Sequence, residues 1–462
     1  MDMKNNIVLN TDSYKTSHYA QYPEGTTMVN SYIEARGSAD PEVTKSVFFG
    51  LQMFIKEYLL TPVTDADVDE AAELLAAHGV PFNEAGWRYI VREHNGFLPI
   101  EIEAVPEGTP VDLKNVLAQV RNTDPNVPWL TSYVETMLLR AIWYPTTVAT
   151  NSWMIKQELL AYAQKSGSDM NVAFKLHDFG ARGVSSQESA GIGGLAHLVN
   201  FAGTDTIEAV RAGRAYYNEP MAGFSIPATE HSTITVWGED GEADAYANLL
   251  KQFARPGAVV ACVSDSYDIY NAASNLWGGK LKAQVEASGA TIVVRPDSGD
   301  PTTVPVDIIE LLMERFGYTT NDAGYKVLPD SVRVIQGDGI NIDSIKQIIA
   351  NMDSKKLALD NIAFGMGGAL LQHMNRDTLQ FAMKASYALI DGEGRDVYKR
   401  PVGDKGKASK RGILTLNQAA NGKFFTRQRW DTVGENVLRT VYRNGELLVD
   451  DTLSQVRDRA GK

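Results

Sequence analysis

FKLHDFGARG (residues 174–183), VNFAGTDT (199–206) and SIPATEHSTITVW (225–237) share one rhythm. Each sets a short apolar run beside ionisable side chains. His177, Asp178 and Arg182 sit among glycines, Asp205 lies in a polar turn, and Glu230 and His231 fall between two strand-like runs. An α/β protein places its chemistry this way, on the loops beyond strand ends. Working outward, the pattern predicts strands at 172–176, 198–201, 224–227, 259–263, 290–295, 331–335 and 361–364, and another at 380–384. Helices fit between most of them, and such alternation favours parallel strands. The strand ends carry His177 and Asp178, Asp205, His231, Asp265, Arg295 and Asp297, Asp338, then Gly365, Gly367 and Gly368. Roughly seven such ends on one face indicate a barrel, with an open doubly wound sheet as the alternative.

The flanks read differently. TDSYKTSHYAQYP (11–23) is polar and aromatic together, and MVNSYIEAR (28–36) alternates like a strand ending at Arg36. Helices are expected from Phe48, over 64–80 with acids after Thr64 and a stop at Gly79, over 84–94, over 129–143 and over 152–164. Residues 98–111 read as a hairpin or small sheet, and short strands return at 396–399, 412–416 and 437–448. The expected organisation is an α/β protein in three segments. Residues 1–148 and 385–462 form an α+β domain from both chain ends, flanking an irregular (β/α) barrel at 149–384.

Composition narrows the function. The chain of 462 residues is 44% apolar and 22% charged, as ordinary globular domains are. No window approaches the roughly 18 uncharged apolar residues of a membrane span. A single cysteine, Cys262, excludes an internal disulfide and a cysteine-rich zinc site, and a cytoplasmic location is expected. The net charge of −13 argues against nucleic-acid binding but leaves room for a local cationic pocket. The run 395–411, RDVYKRPVGDKGKASKR, has seven Lys or Arg against two Asp, and suits a solvated loop as well as an anion site.

Several segments suit a phosphorylated substrate. VVRPDSGDP (293–301) puts Arg295 and Asp297 on one side of an extended segment, where a salt bridge is the plainer reading. Asp338 stands between Gly337 and Gly339. AFGMGGALL (363–371) resembles a glycine loop before a helix, whose amides can cradle phosphate, although a glycine cluster alone equally makes a tight turn. Neither GxGxxG in its strand–helix context nor GxxxxGK[ST] is present. Arg182, Arg295, Arg376 and Lys384 supply positive charge. Asp265, Asp297 and Asp338 suit ribose hydroxyls or Mg²⁺. His231 suits a base or phosphate acceptor, or a structural hydrogen bond. Phe179 offers a flat surface, and Asp205 an acceptor for an amide N–H.

LNTDSYKTSHYAQYP, KLHDFGARGVSSQESAGIGGLAHLVNFAGTDT, PATEHSTIT, VSDSYDIYNA, VRPDSGDP, VIQGDGI and NIAFGMGGALLQ together resemble the nicotinamide phosphoribosyltransferases, from about residue 7 to about 450. The nicotinate phosphoribosyltransferases match these stretches less well. The resemblance implies a homodimer with active sites at the subunit interface. It implies transfer of the phosphoribosyl group of phosphoribosyl pyrophosphate to nicotinamide, with Mg²⁺ acting mainly through substrate phosphates. ATP hydrolysis through a phosphohistidine is implied as an accessory activity.

Residue by residue, the resemblance implies a nicotinamide ring between Phe179 and Tyr14 of the second subunit. Asp205 would take the amide, with Arg182 and Asp12 nearby. His231 would be the phosphorylated histidine, with Asp265, Asp297 and Arg295 around it. Asp338, Gly337, Gly367, Gly368, Arg376, Lys384, Arg36, Lys399 and the Lys407–Lys410 run would contact ribose and phosphates. Ala181, Ala382 and Arg400 depart from the vertebrate pattern, and GSADPEVTKS (37–46) is slightly shorter. Nicotinate phosphoribosyl transfer and a non-catalytic interaction role are the alternatives.

Overall fold

The computed structural model describes residues 6–403, 408–432 and 434–461. The chain divides into two compact units. One is Met1–Thr150 with Ala212–Glu219 and Met374–Lys462, and the other is Asn151–Arg211 with Pro220–His373.

The first unit is α+β and uses both chain ends. Its seven-stranded antiparallel sheet runs in the order Glu393–Asp396, Phe381–Ile390, Thr26–Ala35, Val116–Asn122, Ile100–Ala104, Arg439–Arg443, Glu446–Leu447. Trp87 is buried edge-on against Trp129 and Tyr133, an aromatic centre for this core. Helix Asp65–His78 starts at a capping box of Thr64 and Asp67 and ends at Gly79, whose φ of 85° suits glycine.

Two expectations fail here. Residues 98–111 form no hairpin, because Ile100–Ala104 pairs with Val116–Asn122 while Pro110–Asp112 pairs with Lys45–Val47. Two helices were expected over 129–164, yet Glu135–Ser166 is one helix through Pro145. Thr147 and Thr150 hydroxyls donate to the carbonyls of Trp143 and Thr146, adding local bonds where proline contributes no N–H.

The second unit is an irregular (β/α) barrel. Its six parallel strands stand in the order Gly203–Thr204, Leu176–Asp178, Ile362–Met366, Val332–Gln336, Thr291–Arg295, Val259–Val263. Segment 224–228 bonds to both edges. Phe224 bridges Gly203, and Ala228 bridges Ala261. The Thr204 N–H donates to the Phe224 carbonyl at 3.0 Å, and the Ala261 N–H to the Pro227 carbonyl at 3.0 Å. The curled sheet is thereby joined edge to edge through one irregular stave. Strand alternation sends Ala261, Val293 and Ile335 inward, against Phe179, Ile226 and Ala363. The opposite faces, with Val260, Ile292, Val334 and Phe364, are buried as well, which is why these strands read as continuous apolar runs.

The strand expected at 198–201 is the turn that follows helix Gln187–His197; the strand lies at Gly203–Thr204. The apolar run there is a buried turn, with Leu198, Val199 and Phe201 in the core. The strand-like run after His231 is also helical, His231–Thr235, because Thr233 and Thr235 hydroxyls bond back to the carbonyls of Glu230 and His231. The strand expected at 172–176 is Leu176–Asp178, starting four residues later and ending two later, which puts His177 and Asp178 within it. Residues 380–384 belong to the antiparallel sheet of the first unit, where Lys384 faces Tyr32 across the strands.

Candidate active site

In the barrel unit the C-terminal strand ends gather one polar cluster. His231 opens a short helix after the irregular stave and is 46% exposed at its side chain. Its Nε2 lies 3.0 Å from Oδ1 of Asp265, whose side chain is 3% exposed, and its Nδ1 lies 4.0 Å from Oδ2 of Asp297. Arg295, at the end of its strand, places Nε 3.7 Å from Oδ1 of Asp297, too far for a hydrogen bond, and that buried N–H has no partner. Burial holds the Asp297 carboxyl above its usual range. The charges of Asp265 and Asp338 add to the rise, and Arg295 and His231 oppose it. His231, Asp265, Arg295, Asp297 and Asp338 therefore share one electrostatic neighbourhood.

The glycines shape a slot beside it. A Cβ on Gly365 would lie 2.0 Å from Cε2 of Phe179, and one on Gly337 would lie 3.3 Å from the same atom and 3.5 Å from Oδ1 of Asp297. The Phe179 ring thus lies against bare backbone, next to the Asp297 carboxylate. Gly367 approaches the Phe179 carbonyl, and Gly183 approaches Gly368, so the Arg182 turn lies along the glycine loop. Asp205 is exposed, receives the Ser225 hydroxyl, and donates its N–H to the Asp178 carbonyl at 3.0 Å. Burial lowers the pKa of His177, whose Nε2 lies 3.0 Å from the Phe174 carbonyl. At the strand-start end of the barrel lies a cavity of about 530 Å³, lined by Phe174, Lys175, Ile226, Val293 and Arg333 among others.

The remaining predicted residues belong to the first unit. Burial lowers the pKa of Lys384. The cations Lys399, Arg36 and Arg376 lower it further against Glu135, so these four cations form one basic group. Arg36 is held by the Gln380 carbonyl at 3.1 Å, and Lys399 by its N–H to the Ser409 hydroxyl at 3.0 Å. Tyr14 is 60% exposed, beside Lys15 and His18. Asp12 accepts the Thr136 hydroxyl at 2.6 Å. Lys410 pairs with buried Glu34, and Lys407 lies outside the described residues.

Sequence reasoning missed Ser225, the hydroxyl on Asp205, and Gly365 as the seat of Phe179. AFGMGG flagged the glycines but not which one meets a ring. Among the described residues no group of three or more His, Cys, Asp or Glu forms a metal cage. Asp265 and Asp338 are close enough to act on the Asp297 carboxyl through their charge. Their mutual repulsion, visible at Asp297, is what a cation would relieve. Among the described residues no helix is long and apolar enough to cross a membrane.

Comparison with known proteins points the same way. Residues 174–446 match the nicotinate phosphoribosyltransferase family model, and residues 6–102 match the N-terminal domain of nicotinamide phosphoribosyltransferase. A nicotinamide phosphoribosyltransferase of Xanthomonas campestris is 53% identical, covering 100% of this chain and 99% of that protein. Another, from Acinetobacter baylyi, is 34% identical over 97% of this chain and 95% of that one. Two solved structures share the fold at 17% identity. Nicotinate-nucleotide pyrophosphorylase from Pyrococcus furiosus has a TM-score of 0.64 and covers 100% of this chain and 96% of its own. Human nicotinic acid phosphoribosyltransferase has 0.59, with 98% and 93%. The full-length identity and the two family models together establish that this chain belongs to the nicotinate/nicotinamide phosphoribosyltransferase family.

Proposed function

We propose that this enzyme transfers the 5-phosphoribosyl group of phosphoribosyl pyrophosphate to nicotinamide, releasing nicotinamide mononucleotide and pyrophosphate. The observation that carries this choice of base is Asp205. Its carboxylate is exposed on the turn whose N–H bonds to the Asp178 carbonyl, one residue before Phe179, where it would accept from a neutral amide and repel the carboxylate of nicotinic acid. Phe179, seated on Gly365, supplies the stacking face and Arg182 lies on the adjoining turn. The pyridine nitrogen already has a free electron pair, so no side chain need remove a proton from it. The ring nitrogen bonds to C1 of the ribose as the bond from C1 to pyrophosphate breaks, with its electron pair leaving on pyrophosphate. Asp297, Asp265 and Asp338 stabilise positive charge on the ribose, and Arg295 stabilises phosphate. Mg²⁺, when bound, neutralises pyrophosphate.

We further propose a homodimer, in which Tyr14, Asp12, Arg36, Arg376, Lys384 and Lys399 of one subunit serve the partner's barrel. The exposure of Tyr14 and the basic group around Lys384 support this reading. The Lys384 group would hold pyrophosphate, and Gly337, Gly367 and Gly368 the ribose phosphate. His231 would accept the γ-phosphoryl of ATP, releasing ADP, and water would then free phosphate. Asp265 on Nε2 leaves Nδ1 without a short contact to this pair of acids, as such a role requires. The reaction would run in the cytoplasm. The test is product analysis with phosphoribosyl pyrophosphate and Mg²⁺, offering each base with and without ATP. Mononucleotide from nicotinamide, and little from nicotinic acid, is expected. Preference for nicotinic acid would overturn the Asp205 argument.

A further inference from the structure

Asp178 is 0% exposed, and no ion pair reaches it among the described residues. A carboxylate so placed is costly unless hydrogen bonds satisfy it. Its partners come from two turns. The Gly180 N–H, just after Phe179, donates to Oδ1 at 2.7 Å. The Thr204 hydroxyl, just before Asp205, reaches Oδ2 at 3.4 Å. The Asp178 carbonyl accepts the Asp205 N–H at 3.0 Å, and the Thr206 N–H donates to the Thr204 hydroxyl at 3.0 Å. Helix Gln187–His197 closes the pocket with Gly194, where a Cβ would stand 3.0 Å from Oδ2. Burial raises the carboxyl's pKa, the neighbouring Thr206 hydroxyl and the Gly180 and Thr204 bonds oppose that, and the Asp205 charge adds to it; the Thr206 hydroxyl itself makes no hydrogen bond among the described residues.

We propose that Asp178 is a positioning residue for base recognition, tying the turn that carries Phe179 to the turn that carries Asp205. The proposal rests on nicotinamide being the base. One residue touches both turns from behind and has no access to substrate. It fixes the spacing between the stacking face and the amide acceptor, and it leaves the His231–Asp265–Asp297 cluster alone. Its loss acts on the base, not on phosphoribosyl pyrophosphate.

The test is steady-state kinetics of Asp178→Asn and Thr204→Val in the full-length enzyme. Asparagine keeps the acceptor for Gly180 but replaces the second oxygen with a donor. Asp178→Asn is expected to raise the nicotinamide KM roughly tenfold or more, because small misplacements are costly at a reacting centre. The KM for phosphoribosyl pyrophosphate and kcat should stay within roughly threefold, and discrimination against nicotinic acid should narrow. Thr204→Val should shift the same constants less, and it decides the matter if Asp178→Asn does not fold. Equal losses for both substrates, or an unchanged nicotinamide KM and selectivity, would overturn the proposal. If the wild type uses only nicotinic acid, the choice of base is wrong. The KM split is then read with that base and still decides the role of Asp178.

Discussion

Gly365→Ala puts a methyl group where the Phe179 ring now lies. The new Cβ would stand 2.0 Å from Cε2, 2.2 Å from Cδ2 and 2.7 Å from Cζ of that ring. Carbon atoms rest at about 3.5–4.0 Å, so the ring edge must retreat by about 1.5 Å. Overpacking of this kind costs about 1–3 kcal/mol when the neighbour is trapped. Phe179 is only half-buried and can swing outward, so the stability loss should fall at the lower end. The larger loss is in recognition of the base. A misplacement of about 1 Å can cost about a hundredfold, equivalent to about 2.7 kcal/mol. Initial rates with nicotinamide varied at saturating phosphoribosyl pyrophosphate should show KM rising about 10- to 100-fold. The other substrate's KM should hold, since Gly365 faces the ring. Gly279→Ala is the control, because its Cβ would meet nothing nearer than the Ser274 carbonyl at 3.6 Å. A nicotinamide KM in Gly365→Ala equal to that of the control would refute the stacking role of Phe179.

Asp205→Asn removes the charge that repels nicotinic acid while keeping an acceptor for the amide. The ratio of kcat/KM for the two bases should narrow at least about tenfold, measured by product chromatography. His231→Ala should retain transferase turnover but lose its stimulation by ATP, and ³²P from γ-labelled ATP should no longer appear on the protein. Glu107, in the first unit, accepts the Tyr217 hydroxyl and the Gln52 N–H, and burial raises its pKa. A folded-state value above the unfolded one stabilises the protein most at low pH, and that contribution is lost as pH rises through the folded value. Glu107→Gln should therefore flatten the decline of Tm on the alkaline side of the carboxylate range, as scanning calorimetry would read.

The sequence showed the barrel where apolar runs had no competing periodicity. Strands Val259–Val263, Thr291–Arg295, Val332–Gln336 and Ile362–Met366 fall within a residue or two of their expected places. Most of their residues are buried on both faces, so the strands read as near-continuous apolar runs. The run at 198–201 misled because a buried turn and a strand both read as a short apolar run over four residues. TITVW misled because β-branched residues favour strands until their hydroxyls find helical carbonyls. The charged members of the site were legible because strand ends are where such groups collect. Gly365, Ser225 and the cross-tie through Asp178 were not, because each acts by closeness to a residue from another strand or turn.

Two charge groups, each within its own unit, suit the proposed chemistry. In the first unit, Lys384 is depressed by burial and by three neighbouring cations; in the barrel, Asp297 is raised by burial and by two neighbouring carboxylates. Each group is held against its own electrostatics, in an otherwise acidic chain of net charge −13. Such unrelieved charge marks functional sites. Phosphoribosyl transfer develops both signs, positive on the ribose C1 and negative on the departing pyrophosphate. Neutralising the ground-state diphosphate would only lower KM. In the proposed reaction the carboxylates would gain most when the C1 charge appears in the transition state, where stabilisation raises kcat, and the lysine–arginine group would gain as pyrophosphate takes the electron pair.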